Sequence, residues 1–186
     1  MKRFELLNTA IAGLGVVTRT RIGDSRGHLT RLFCADELAE MGWSFPVAQI
    51  NHTLTQAKGA VRGMHYQNPP HAEAKLVSCI RGEVWDVAVD LRHDSSTYLQ
   101  WHAQRLSSEN QKALLIPKGF AHGFQTMTSD AELIYLHSHA YHPEGEAGLN
   151  PLDAELKIQW PLPVAQISER DRSHPAITDL FKGVIV

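Results

Sequence analysis

Arg62, His65 and Lys75 fall close together in GAVRGMHYQNPPHAEAKLV at 59–77, among small and apolar neighbours. A solvated loop has no use for that combination, and a packed strand rejects it unless the charges find partners. Imidazole is the side chain whose unperturbed pKa lies near neutrality, so His65 suits removal of a proton from a carbon next to a ketone. That step builds negative charge on the carbonyl oxygen, and the Lys75 ammonium is the kind of group that stabilises it. Inversion of configuration also requires an acid on the opposite face of the carbon. Tyr135, in AELIYLHSHAY at 131–141, sits in an apolar strand pattern. It fits that role, and equally the plainer one of a core tyrosine with a satisfied hydroxyl.

The same histidines raise the alternative of a metal. The chain has 11 of them. His93, His102, His142 and His174 lie beside turns or polar residues and are expected as solvated surface groups. His65, His71, His122, His137 and His139 are ligands by type, and His137 and His139 share one strand face. A carboxylate shortly after His65 would complete a ligand set, but Tyr66 and Gln67 stand there. The reading that follows is proton chemistry with no metal and no cofactor.

Strands separated by turns must carry these groups. In KLVSCIRGEVWDVAVDLR at 75–92, apolar alternation runs on both sides of Arg81-Gly82. In its second arm Val84 and Ala88 fall on one face, and Trp85, Val87, Val89 and Leu91 on the other. Both faces are apolar, which places that strand between layers. The 131–141 pattern puts Leu133, Tyr135, His137 and His139 on one face and Ile134 and Leu136 on the other. ALLIPKG at 113–119 reads as a short strand stopped by proline and glycine. Only CADELAEMG at 34–42 spaces like a helix, with Gly42 to end it. Short strands, Gly and Pro punctuation and no βαβ rhythm predict an all-β sandwich or barrel of jelly-roll type with short peripheral helices.

At 186 residues one domain is the natural reading, 1–186, with the proline- and charge-rich stretch 150–186 as a strap over one end of the barrel, anchored by Trp160. Lys plus Arg is 18 and Asp plus Glu is 20, for a net charge of -2, which gives no support for a nucleic-acid partner. No apolar run is long enough to span a bilayer and no leading segment signals export, so a cytoplasmic location is expected. Cys34 and Cys79 are expected as free thiols.

Several motifs in their order and spacing carry a resemblance: DSRG at 24–27, QINH at 49–52, VRGMHYQNPP at 61–70, KLV at 75–77, RGEVWDVAVDLR at 81–92, SST at 95–97, PKGFAHGF at 117–124 and YHPEGE at 141–146. Together they resemble the dTDP-4-dehydrorhamnose 3,5-epimerase family, sugar-nucleotide epimerases on a cupin-type jelly roll that are usually dimeric. The resemblance implies His65 as catalytic base, oriented by Asp171 of the ISERD segment. It implies Lys75 near the sugar ketone and Tyr135 as the acid. His122 would shape the sugar site. Arg26, Gln49, Asn51 and Arg62 would line the nucleotide and pyrophosphate, where a guanidinium holds paired phosphate oxygens. Tyr141 and Glu146, in YHPEGE, would lie beside the sugar or base. The implied substrate is a dTDP-4-keto-6-deoxyhexose, and the implied assembly a homodimer.

Two departures bear on specificity. After DSRG the family commonly has aromatics and a glutamate, whereas this chain has His28, Leu29, Thr30 and Arg31. The tryptophan-containing run after the glutamate-glycine segment is replaced by Pro151, Leu152, Asp153 and Ala154. Both fall at the edges of the expected site. Epimerisation at C3, at C5 or at both remains open, alongside a cupin-type 3,4-ketoisomerase and a non-catalytic sugar-nucleotide binding module.

Overall fold

The computed structural model describes residues 2–186. In chain order its strands are β1 (Phe4–Asn8), β2 (Gly15–Arg19), β3 (Arg21–Asp24), β4 (Gly27–Thr30), β5 (Gln49–Thr55), β6 (Val61–Gln67) and β7 (Lys75–Arg81). They continue as β8 (Glu83–Asp90), β9 (Trp101–Ser107), β10 (Lys112–Ile116), β11 (Phe120–Thr126), β12 (Ala131–His137) and β13 (Glu146–Gly148). The helices are α1 (Ala35–Ala39) and α2 (Glu169–Arg172).

One sheet has the order β1-β2-β10-β7-β12-β5 and the other β13-β6-β11-β8-β9, while β3 and β4 form a separate hairpin. All of these pairings are antiparallel. The chain changes sheets at the Arg81-Gly82 pair, so β7 and β8 face each other across the core. This is a jelly roll of cupin type.

The alternation read in β8 is the one observed. Val84 and Ala88 join Val77, Cys79, Leu133 and Phe124 between the sheets. Val87, Val89 and Leu91 face outward with Met64 and Tyr66. Leu76 and Leu136, on the opposite face of the six-stranded sheet, are covered by Leu38 of α1 and by Trp43. Each fully buried Leu or Val side chain contributes roughly 1.5–3 kcal/mol, and the three clusters clamp both sheets from inside and outside. Cys34 and Cys79 are free thiols.

One expectation is corrected. The strand over 131–141 ends at His137, so His139 lies beyond it, with its ring against His71 at 5.2 Å. The segment from 150 onward runs along the outside of the five-stranded sheet and brings Asp171 to His65. Its Leu156 and Trp160 pack with Met64 and Tyr66 on the outer face of the five-stranded sheet, and Trp160 Nε1 donates to the Pro151 carbonyl at 3.0 Å.

Candidate active site

A cavity of about 250 Å³ opens between the two sheets. The six-stranded sheet contributes Gln49, Asn51, Thr53, Lys75, Tyr135 and His137; the five-stranded sheet contributes Arg62, His65, His122 and Phe124. Register makes these groups neighbours. His137 lies opposite Gln49 on β5 and opposite Lys75 on β7, and His122 lies opposite His65.

His65 Nε2 is 2.7 Å from Asp171 Oδ1. The carboxylate is placed by its own local sequence: Ser168 caps α2 by accepting from the Asp171 N–H at 3.0 Å, which turns Asp171 inward at the first helical turn. Its second oxygen accepts from the Gly63 N–H at 3.2 Å. Gly63 is required there, because its φ is +116° and a Cβ would come within 2.5 Å of Gly123 Cα on β11. Burial pushes the Asp171 carboxyl up, but the His65 hydrogen bond and charge outweigh it and hold the pKa below its ordinary value. An ionised carboxylate on one ring nitrogen fixes the tautomer and the orientation of the ring. The His65 side chain is 39% exposed, so the dyad has a buried back and an open front.

Tyr135 reaches the cavity from the other sheet. It is buried, its phenolic oxygen accepts from Thr53 Oγ1 at 3.4 Å, and its ring meets His122 edge-on at 5.8 Å. Burial pushes its pKa well up, so it stays a phenol and keeps a proton to give. Lys75 Nζ is held by the His65 carbonyl at 3.3 Å and by Glu73 Oε1 at 3.2 Å. Behind Tyr135, His122 Nε2 lies 2.8 Å from Asp86 Oδ1, a diagonal pair across β8 and β11. Asp86 is fully buried, its other oxygen has no partner among the described residues, and burial pushes its pKa up.

Of the nucleotide-binding candidates, Gln49, Asn51 and Arg62 line the cavity, as do Tyr141 and Glu146 at its mouth. Tyr141 is half-exposed and its hydroxyl donates to Glu146 Oε2 at 2.9 Å; Glu146 is also paired with Arg170 of α2. Arg26 is not among the lining residues. It is exposed at the tip of the β3–β4 hairpin, where its guanidinium grips Asp24 at 2.6 Å.

Three site residues escape the sequence reading. Asp86 lies on the same face as Val84 and Ala88, so a carboxylate inside an apolar alternation was the available signal. Glu73 follows two prolines in an irregular stretch with no period to read. His174, expected in solvent, is partly buried 6.1 Å from His65, against Gly148, where a Cβ would fall 2.2 Å from its Nε2. His142 is also drawn in, stacked on His71 at 3.7 Å, and His102 is half-buried.

Residues 8–179 match a family model described as dTDP-4-dehydrorhamnose 3,5-epimerase. The dTDP-4-dehydrorhamnose 3,5-epimerase of Pseudomonas aeruginosa is 43% identical over 159 residues, spanning 84% of this chain and 87% of that protein. The dTDP-4-dehydrorhamnose 3-epimerase of Streptomyces niveus is 39% identical over 163 residues, spanning 87% of this chain and 78% of that protein. A crystal structure of dTDP-6-deoxy-D-glucose-3,5-epimerase from Legionella pneumophila, in complex with dTDP-4-keto-L-rhamnose, superposes with a TM-score of 0.92 at 37% identity over 98% of both chains.

Proposed function

Because the chain belongs to the dTDP-4-dehydrorhamnose 3,5-epimerase family, we propose that it inverts C3, C5 or both of a dTDP-4-keto-6-deoxyhexose by cofactor-free proton transfer. One observation supports this most: a histidine backed by a buried carboxylate and a protonated buried tyrosine enter one cavity from opposite sheets. His65 takes the proton from the carbon next to the C4 ketone, and the electron pair moves to the ketone oxygen, which Lys75 stabilises. Tyr135 then protonates the opposite face, and the two side chains re-equilibrate their protons with water.

Incubation with a dTDP-4-keto-6-deoxyhexose in deuterated water tests the assignment. Deuterium at C3 and C5 is the expected result. Label at C3 alone makes this a mono-epimerase. A relocated carbonyl identifies a ketoisomerase, and an unchanged sugar a binding module; either would overturn epimerisation.

The nucleotide lies along Arg62, Gln49, Asn51 and Tyr141. Arg26 serves the same end in a homodimer, in which the β3–β4 hairpin of one protomer reaches the cavity of its partner. Exposed Ile22 and Leu29 on the hairpin and Ile50 and Leu54 on the edge strand β5 supply the apolar surface for such an assembly. Light scattering should return the mass of two chains, and a monomer would sink this arrangement. The reaction runs in the cytoplasm, where both free thiols are at home, and no helix among the described residues is long and apolar enough to cross a membrane.

A lysine already faces the developing oxyanion, so exhaustive chelation should leave turnover unaltered. His65, Asp171 and His174 present ligand atoms within 4.8 Å of one another. Activity that vanished on chelation and returned only with a divalent ion would put a metal there or at His137.

A further inference from the structure

A continuous polar chain runs from the cavity rim to Lys75, and its direction is fixed at both ends. The Tyr141 backbone N–H, which can only donate, gives to Gln49 Oε1 at 2.9 Å. The Gln49 amide nitrogen therefore donates to Asn51 Oδ1 at 3.0 Å, and the Asn51 amide nitrogen faces His137 Nε2 at 3.4 Å. That makes Nε2 the acceptor and leaves the ring proton on Nδ1, which donates to Glu73 Oε2 at 2.8 Å. The other Glu73 oxygen takes one of the three Lys75 protons at 3.2 Å. A second Lys75 proton goes to the His65 carbonyl at 3.3 Å.

Both carboxylate oxygens of Glu73 are thus committed, and its side chain is only 8% exposed. Burial pushes its carboxyl up, but the His137 hydrogen bond and then the Lys75 charge prevail and hold the pKa below the ordinary carboxylate value. The Lys75 ammonium is equally buried and needs a counter-charge to stay there. Two of its three N–H bonds have protein partners, which leaves one for the cavity. A carboxylate that was free to swing would pull that last proton away from the substrate. His137 prevents this by pinning the far oxygen, and sharing the negative charge with His137 also limits how far Glu73 quenches the ammonium.

We propose that Glu73, pinned by His137, is a positioning residue that aims the remaining Lys75 N–H at the ketone oxygen of the substrate. The inference rests on the reading of Lys75 as the oxyanion-stabilising group. Because the same lysine also holds the backbone carbonyl of His65, base and oxyanion donor are kept in one frame across the two sheets.

A double-mutant cycle tests it, read by deuterium wash-in next to the ketone. Glu73→Gln keeps the shape and loses the charge. It should lower kcat by about tenfold to a hundredfold, as expected for a misaligned catalytic group, with KM changed little. In a Lys75→Met background, the same Glu73→Gln change should cost almost nothing further, because the group it aims is gone. Equal losses in both backgrounds would mean a merely structural role and overturn the proposal, as would wild-type kcat in Glu73→Gln. Wild-type wash-in by Lys75→Met alone would instead remove the lysine from the mechanism and the premise with it. Should Glu73→Gln fail to melt cooperatively, His137→Leu reads the same chain. It should reduce kcat in the wild-type background and not in Lys75→Met, and His137→Asn, which restores a donor near the Nδ1 position, should recover part of the loss. Equal losses in the two backgrounds would again overturn it.

Discussion

His65→Asn is expected to slow deuterium wash-in next to the ketone by about a hundredfold or more, with a cooperative melt close to that of the wild type. The imidazole is the base in the proposed reaction, and asparagine fills much the same space beside Asp171 without a nitrogen that takes a proton at neutral pH. The side chain is partly exposed at the cavity, so its loss opens no void in the core. Wild-type exchange in this variant would remove His65 as the base. Asp171→Asn should show a weaker defect, since the base remains but loses the carboxylate that fixes its tautomer and orientation. The pH dependence has a definite sign. The Asp171 carboxyl is held below its ordinary 3.8 in the folded protein, with burial opposing and the His65 hydrogen bond, the His65 charge and the Gly63 N–H favouring the charged form. Its contribution to stability is therefore in place above that value and is lost as pH falls through the lower folded one. Any stability gap between wild type and Asp171→Asn at neutral pH should narrow below pH 3.8. Full activity and an unchanged pH profile in Asp171→Asn would sink the dyad.

Tyr135→Phe should separate two events that the wild type couples. Removal of the hydroxyl leaves the ring in place against His122 and His137, so packing is kept. Among the described residues, the only protein hydrogen bond lost at that oxygen is the long one from Thr53. Exchange needs only removal and return of a proton on the His65 side, and it should persist. Net inversion needs delivery from the six-stranded sheet, and it should fall by on the order of a hundredfold or more. NMR of the sugar after reaction in deuterated water reads both quantities in one sample. Full inversion by the variant would take Tyr135 out of the mechanism.

What the sequence reveals of this site follows from how each group is positioned. Wherever a side chain sits on a regular strand, period-two alternation is enough: Lys75, Tyr135 and His137 point inward on β7 and β12 as their patterns require. The same rule already placed Asp86 inside beside Val84 and Ala88, but a single acidic residue in an apolar run is easily passed over. Groups joined by tertiary contact leave no local trace. Asp171 lies 106 positions from the histidine it touches, and only the family resemblance linked them. Glu73 stands in an irregular stretch and gains its meaning from His137, on a strand that follows much later. Arg26 shows the converse: its motif is recognisable, yet within a single chain it meets Asp24 and not the cavity.

The wide separation of Asp171 from His65 also orders events in time. As the chain is synthesised, β5 to β12, which carry His65, Tyr135 and Lys75, are made before the ISERD segment. Until Ser168 caps α2 and the Gly63 N–H is engaged, the imidazole has no carboxylate behind it and is free to rotate. Full proton-transfer activity therefore reports completed folding. If His65 is the base as proposed, a chain halted short of Asp171 would hold it undirected, which makes turnover a sensitive gauge of whether the strap has docked.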